Sequence, residues 1–230
     1  MRRVVLAIVF AAALATPASA QDGRALFEEG CATCHGDDAR GIRGTAPTLH
    51  GVGAQAPDFY LSTGRMPLAD PADEPVRTRP AYTPAQRRAL IGYVASLGGP
   101  PVPHVAPERG SLSEGQELFT SHCAGCHQIE GQGGVVPGGV APALQEATPV
   151  QIAEAVRVGP YLMPPFTERQ IDRDQLDSIV RYVLSTRTPP DRGGWGIGNI
   201  GPIPEGMVAW LLAGAVLLIV ARLLGERRPA

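Results

Sequence analysis

The chain has 230 residues and a formal net charge of −2, which conceals an asymmetry: all twenty basic residues are arginine, and Arg2, Arg3, Arg222, Arg227 and Arg228 lie at its ends. Setting those five and Glu226 aside leaves 15 basic against 21 acidic residues, a body at −6, which argues against nucleic acid as a partner. Such a body suits a basic docking face on another protein, or simply a solvated acidic surface. Glycine (28) and proline (23) are abundant and aromatic residues are only 5%, so the loops are long and the core is short of large side chains.

Residues 1–20 read as an export signal. Arg2 and Arg3 form a positive start, residues 4–14 are an apolar run too short to span a bilayer, and Ala18-Ser19-Ala20 fits a cleavage site. The alternative is a retained anchor helix. A first domain is expected over residues 21–98. Asp22 can cap a helix carrying Gly23 and Phe27, which runs into Cys31-Ala32-Thr33-Cys34-His35. Glycine-rich loops follow, with Pro47 and Leu49, then a short amphipathic stretch over residues 58–63 and Gly64-Arg65-Met66-Pro67. Thr83-Pro84-Ala85-Gln86 is a capping box with proline at the first helical position, and Leu90, Tyr93, Val94 and Leu97 recur at helical spacing.

Residues 99–111 read as a linker by composition, and then the pattern begins again over residues 112–187. Ser113-Glu114-Gly115-Gln116 reads as a capping box ahead of Phe119 and Cys123-Ala124-Gly125-Cys126-His127. Thr148-Pro149-Val150-Gln151 opens another helix, Met163-Pro164 matches Met66-Pro67, and Asp172 can cap a last helix bearing Leu176, Ile179, Val180 and Val183. Gly23 and Phe27 match Gly115 and Phe119, and Tyr93 matches Tyr182. Helical periodicity dominates and no strand alternation stands out, so the predicted class is all-α.

The two Cys-x-x-Cys-His stretches use all four cysteines of the chain and carry the attachment signature of c-type haem. Two thiols on one helical turn can each form a thioether to one edge of a porphyrin, and the adjacent histidine, His35 or His127, then sits under the iron. A zinc site, a redox dithiol or a disulfide pair are the competing readings. Zinc favours Cys-x-x-Cys pairs that converge, with no obligatory histidine beside each second cysteine. A redox dithiol asks for a βαβ setting that this sequence lacks. Two covalently bound haem c groups are therefore predicted, on Cys31 and Cys34 and on Cys123 and Cys126. For the opposite face of each iron, Met1 belongs to the signal and Met207 to the apolar C-terminal run, which leaves Met66 and Met163 at equivalent places. Thioether ligation opposite histidine raises the potential and closes the iron to oxygen or peroxide. His50, His104 and His122 are poorer candidates.

The repeat resembles the class I cytochrome c fold: two tandem domains of that kind are predicted. In that family a glycine and an aromatic on the first helix cross an aromatic on the last, the places held here by Gly23, Phe27 and Tyr93 and by Gly115, Phe119 and Tyr182. The resemblance also assigns a loop proline carbonyl to each proximal histidine: Pro47 for His35, and Pro142 for His127, which stands three residues further along than its counterpart.

Residues 188–205 are a glycine- and proline-rich tether without a core-forming pattern, residues 206–224 a transmembrane helix, and residues 225–230 a cytoplasmic tail. Arginines at the C-terminal end place that end in the cytoplasm and both haem domains outside. A buried soluble helix is the alternative, against which stands the all-round apolarity of the run. With Gly64-Arg65-Met66-Pro67 and the glycine-proline run ahead of the anchor, nearly the whole mature chain is similar to the dihaem cytochrome c subunit of the actinobacterial-type cytochrome bc1 (bcc) complex, a menaquinol–cytochrome c reductase. The resemblance implies electron transfer from the Rieske iron–sulfur protein, beside the cytochrome b subunit, to an aa3-type cytochrome c oxidase. The other readings are a dihaem subunit of a periplasmic dehydrogenase or cbb3-type oxidase, and a dihaem peroxidase, which needs one open iron.

Overall fold

The structure is a computed structural model that describes residues 22–188 and 202–225, with side chains from 206 onward in the second segment. The expected signal, most of the expected tether and the last residues of the tail lie outside the described residues. In the first half, α1 (Gly23–Gly30) breaks at Cys31 into the single turn α2 (Ala32–His35), and α3 (Gln55–Ser62) and α4 (Pro84–Ser96) follow. In the second half the order is α5 (Leu112–His122), α6 (Ala124–His127), the strands β1 (Gly134–Val136) and β2 (Gly139–Ala141), α7 (Pro149–Val158) and α8 (Arg173–Ser185). The last element is α9 (Pro202–Gly225).

Local sequence explains where these helices start. Asp22 accepts from the Arg24 backbone N–H, and Thr83, Thr148 and Asp172 each form a complete capping box with the glutamine three residues on. One start differs from the sequence reading. Ser111, not Ser113, caps α5 by accepting from the Glu114 backbone N–H. The Glu114 side chain does not fold back to complete a box, because its carboxylate accepts a 2.8 Å bond from Ser178 Oγ on α8. Tertiary docking outcompetes the local motif.

In each half the first helix crosses the last. A Cβ on Gly23 would stand 2.0 Å from the Ala89 carbonyl oxygen, and one on Gly115 would stand 2.0 Å from that of Ser178. Glycine alone allows these backbones so close. Beside each crossing a ring pair fills the space: Phe27 and Tyr93 at 5.1 Å between centroids, Phe119 and Tyr182 at 5.3 Å. Such tilted pairs contribute about 0.5–1.5 kcal/mol beyond their buried area. Phe27, Ala32, Ala39, Leu61 and Leu90 form one core. The other is larger and includes Phe119, Ile152, Val156, Leu176, Ile179 and Val183.

The expected linker is not a loose tether. Its first residues pair with the first half, where the Ala54 N–H donates to Pro100 O at 2.9 Å. Further on, the Ala106 N–H donates 2.7 Å to the buried carboxylate of Asp177 on α8, and Arg109 pairs with the same carboxylate at 3.3 Å. The halves also touch directly, α3 against α7. There Gln151 Nε2 donates to Ser62 Oγ at 3.1 Å.

The all-α expectation needs one correction: an antiparallel hairpin, with Val135 opposite Val140, sits in the loop after α6. Its counterpart in the first half is a single bridge between Ile42 and Ala46. A second correction concerns α9, which begins at Pro202 inside the expected tether. Among the described residues Gly206–Gly225 is the one stretch long and apolar enough to cross a membrane, and none of it is buried against the rest of the chain.

Candidate functional site

The break at Cys31 and at Cys123 sets up each motif. The N–H of Cys31 closes α1 on Phe27 O and the N–H of Cys123 closes α5 on Phe119 O, after which a single tight turn presents the second cysteine and the histidine. No disulfide links any of the four cysteines. Burial pushes the Cys31 thiol up, and it pushes Cys123 up to about 11, with the neighbouring Cys126 adding to the effect. Tyr82, which the sequence did not single out, hydrogen-bonds to Cys31 and partly offsets the shift there.

The histidine of each motif is oriented by a backbone carbonyl. His35 Nδ1–H donates to Pro47 O at 2.9 Å across a spacing of 12 residues. His127 Nδ1–H donates to Pro142 O at 3.0 Å across 15. The three additional residues are absorbed by the β1–β2 hairpin. Upstream of it the halves keep step: the N–H of Gly41 reaches His35 O at 2.7 Å, and that of Gly133 reaches His127 O at 3.0 Å. The bond fixes the ring and leaves Nε2 with its lone pair free for a metal. Burial lowers the His127 pKa while the Pro142 bond opposes that shift, which favours the neutral, ligating imidazole.

The methionines stand on matched loops. In the second half Arg157 holds the loop by donating to Phe166 O at 3.0 Å and Ile171 O at 2.8 Å. Met163 packs against the second core and, with Cys123, Cys126 and His127, lines a cavity of about 380 Å³ with mostly apolar walls. Met66 packs with Cys31 and Leu49 against the first core. Its loop is pinned where Thr78 Oγ1 donates to Gly64 O and the Thr78 N–H to Thr63 O at 3.1 Å. Of the other histidines, His50 is held at 2.8 Å from Asp38 O, and His122 lies edge-on to Phe166 at the rim of the second cavity.

The donor set fits covalent haem and not the alternatives. Each motif pairs two cysteines outside any disulfide with an imidazole whose second nitrogen is already occupied, beside a thioether and apolar side chains. Among the described residues no three His, Cys, Asp or Glu side chains converge as a zinc site would require. Two further features were invisible in the sequence. Arg65 and Arg77 of the first half line the second cavity. Glu154 on α7 is fully buried, and both its carboxyl oxygens lack a hydrogen-bond donor. Burial first, then the neighbouring charge of Asp58, pushes its pKa up to about 9.

The sign of the consequence follows from linkage. Between its ordinary value of 4.5 and about 9, folded Glu154 keeps a proton that the unfolded chain has lost. Its contribution is fully present below the lower value and is lost as pH rises through the window, by about 1.4 kcal/mol per pH unit at most. Glu154→Gln is expected to flatten the dependence and to be the more stable variant at pH 8. Urea midpoints measured from pH 5 to 9 check this; parallel curves for the two proteins would contradict it.

Comparison with known proteins agrees with this geometry. The family described as "Cytochrome c" matches residues 20–98, and the one described as "Cytochrome C oxidase, cbb3-type, subunit III" matches residues 110–183. The chain is 36% identical to the cytochrome bc1 complex cytochrome c subunit of Corynebacterium diphtheriae over 90% of its own length and 80% of that protein's. It is 35% identical to the Mycobacterium tuberculosis subunit of the same name, over 89% and 77%. A cbb3-type cytochrome c oxidase subunit CcoP from Azospirillum is 28% identical over 70% and 60%. Among solved structures, a chain of the Kuenenia stuttgartiensis reducing HAO-like protein complex covers 72% of this chain and 96% of its own length at 15% identity. Its TM-score of 0.37 is too low to carry an argument. The protein carries covalently bound haem c. With whole-chain relatives of one name on one side and two carbonyl-oriented Cys-x-x-Cys-His sites on the other, the chain belongs to the family of cytochrome bc1 complex cytochrome c subunits.

Proposed function

We propose that this chain is the membrane-anchored dihaem electron relay of a quinol–cytochrome c reductase, taking electrons from a Rieske iron–sulfur protein beside a cytochrome b subunit and delivering them to an aa3-type oxidase. Residues 21–98 and 112–187 act as two class I cytochrome c domains. Cys31, Cys34, Cys123 and Cys126 hold the two haem groups; His35 and Met66, and His127 and Met163, are the axial ligands. The observation that carries the reading is the pair of matched histidine–carbonyl bonds, to Pro47 O and Pro142 O, each in a half that also offers a methionine at the equivalent place.

When bound, haem c supplies a one-electron couple, which methionine opposite histidine poises at high potential. The protein's own part is orientation and exclusion. Pro47 and Pro142 hold the imidazoles, the loops around Arg157 and Thr78 hold the thioethers, and the apolar walls keep water out. The cbb3-type reading is supported by the family match of residues 110–183 but by a weaker and shorter likeness along the chain. A tag on the full chain is expected to copurify Rieske and cytochrome b polypeptides from mild-detergent membranes. Recovery of cbb3-type oxidase subunits instead would favour the second reading.

In the same proposal residues 1–20 direct export, α9 is the single anchor, the haem domains face outward, and Arg227 and Arg228 are cytoplasmic. Protease added to intact spheroplasts is expected to remove the haem-staining domains. Their protection until the membrane is opened would reverse the topology.

A further inference from the structure

The second cavity is not built by the second half alone. Its walls of Cys123, Cys126, His127 and Met163 are closed by Phe59, Arg65 and Arg77 from the first half. We propose that Arg65 and Arg77 are the counter-charges for the propionate carboxylates of the haem held by the second half, so that the loop presenting Met66 to one haem also completes the site of the other. The inference rests on the proposed haem site at His127 and Met163.

Both guanidinium groups are poorly matched by their present partners. Arg65 is half-buried; its Nη1 donates to Pro75 O at 2.7 Å, its Cζ lies 5.4 Å over the Phe59 ring, and its buried Nε has no partner. Both terminal nitrogens of Arg77 share one neutral acceptor, Gln151 Oε1, at 3.4 and 3.3 Å, and Nη2 also reaches Glu146 O at 3.5 Å. The two cations repel each other, and Glu74 is the carboxylate close enough to oppose this at Arg65. Two neighbouring cations at an apolar cavity, with long bonds to neutral oxygens, are costly unless an anion joins them. Haem brings a flat apolar ring and two carboxylates, and the planar fork of arginine matches a carboxylate bidentately. A clasp between the halves accounts for the Arg77–Gln151 bonds, but not for the unpartnered Arg65 Nε.

The test is spectroelectrochemical titration of the purified full-length holoprotein, with the second haem identified as the one whose potential moves in Met163→Ala. Arg77→Gln is expected to lower that haem's midpoint potential, because unopposed carboxylates favour the ferric state, and to leave the first haem's in place. Arg77→Lys is expected to restore most of the shift. Gln151→Leu, which breaks the clasp but keeps the charge, is expected to leave both potentials unchanged. Unmoved potentials in Arg77→Gln, or an equal fall in Gln151→Leu, would overturn the proposal while the methionine absorption band still upheld the ligand reading. A wild-type second haem without that band would overturn the ligand reading itself.

Discussion

Gly115→Ala is expected to cost the second half at least about 3 kcal/mol, the upper end of an overpacking penalty. The added Cβ would lie 2.0 Å from Ser178 O and 2.6 Å from its carbonyl carbon, and both are backbone atoms that cannot swing aside. Relief requires moving α5 off α8, which opens the Phe119–Tyr182 contact and strips Glu114 from Ser178. Gly23→Ala is the counterpart in the first half, against Ala89 O. Gly92, inside α4, has open space where a methyl group would stand, with no neighbouring atom within 4 Å, so Gly92→Ala is expected to stabilise by about 0.5–1 kcal/mol. Urea denaturation of the holoprotein, followed in the far-UV and Soret regions, separates these outcomes. A Gly115→Ala midpoint equal to wild type would mean that the helices do not cross where the structure places them.

What could be read in the sequence was whatever short-range pattern decides. The capping boxes at Thr83, Thr148 and Asp172 depend on residues three apart, and the glycine–aromatic crossing repeats in both halves, so both survive translation into structure. The hairpin over residues 134–141 was hidden because glycine and proline dilute its alternation to three valines. It nonetheless explains why Pro142 stands further from its histidine than Pro47 does. The capping motif at Ser113 is local and cannot show that α5 starts at Ser111, where Ser178, 64 residues away, captures Glu114. Arg77 reaching Gln151 across 74 residues, and Glu154 meeting Asp58, are tertiary facts with no local signature.

The second large effect is expected at the methionines. Met163→Ala removes the thioether that lines the second cavity, in a chain whose other described methionines are Met66 and Met207. The remaining histidines offer no substitute. His122 adjoins Cys123 and packs on Phe166, His50 is held by Asp38 O, and His104 is exposed on the segment between the halves, outside the cavity lining. One of two methionine-ligand absorption bands is therefore expected to vanish and that haem's potential to fall, with the other haem undisturbed. Met66→Ala is expected to do the same for the first half. Because thioethers to Cys123 and Cys126 would hold the variant haem covalently, and Gln151, Ser62 and the docked residues 100–110 still join the halves, that haem should stay in place within an otherwise intact protein.

That property allows the relay itself to be tested. Membranes carrying full-length Met163→Ala, matched to wild type for haem content and for copurifying subunits, are assayed for quinol-driven oxygen consumption. A relay through both haems requires that consumption is lost, since delivery to the oxidase would then depend on both halves. Consumption near the wild-type rate, with the assembly intact and the methionine band gone, would contradict it and leave the second haem a structural filler.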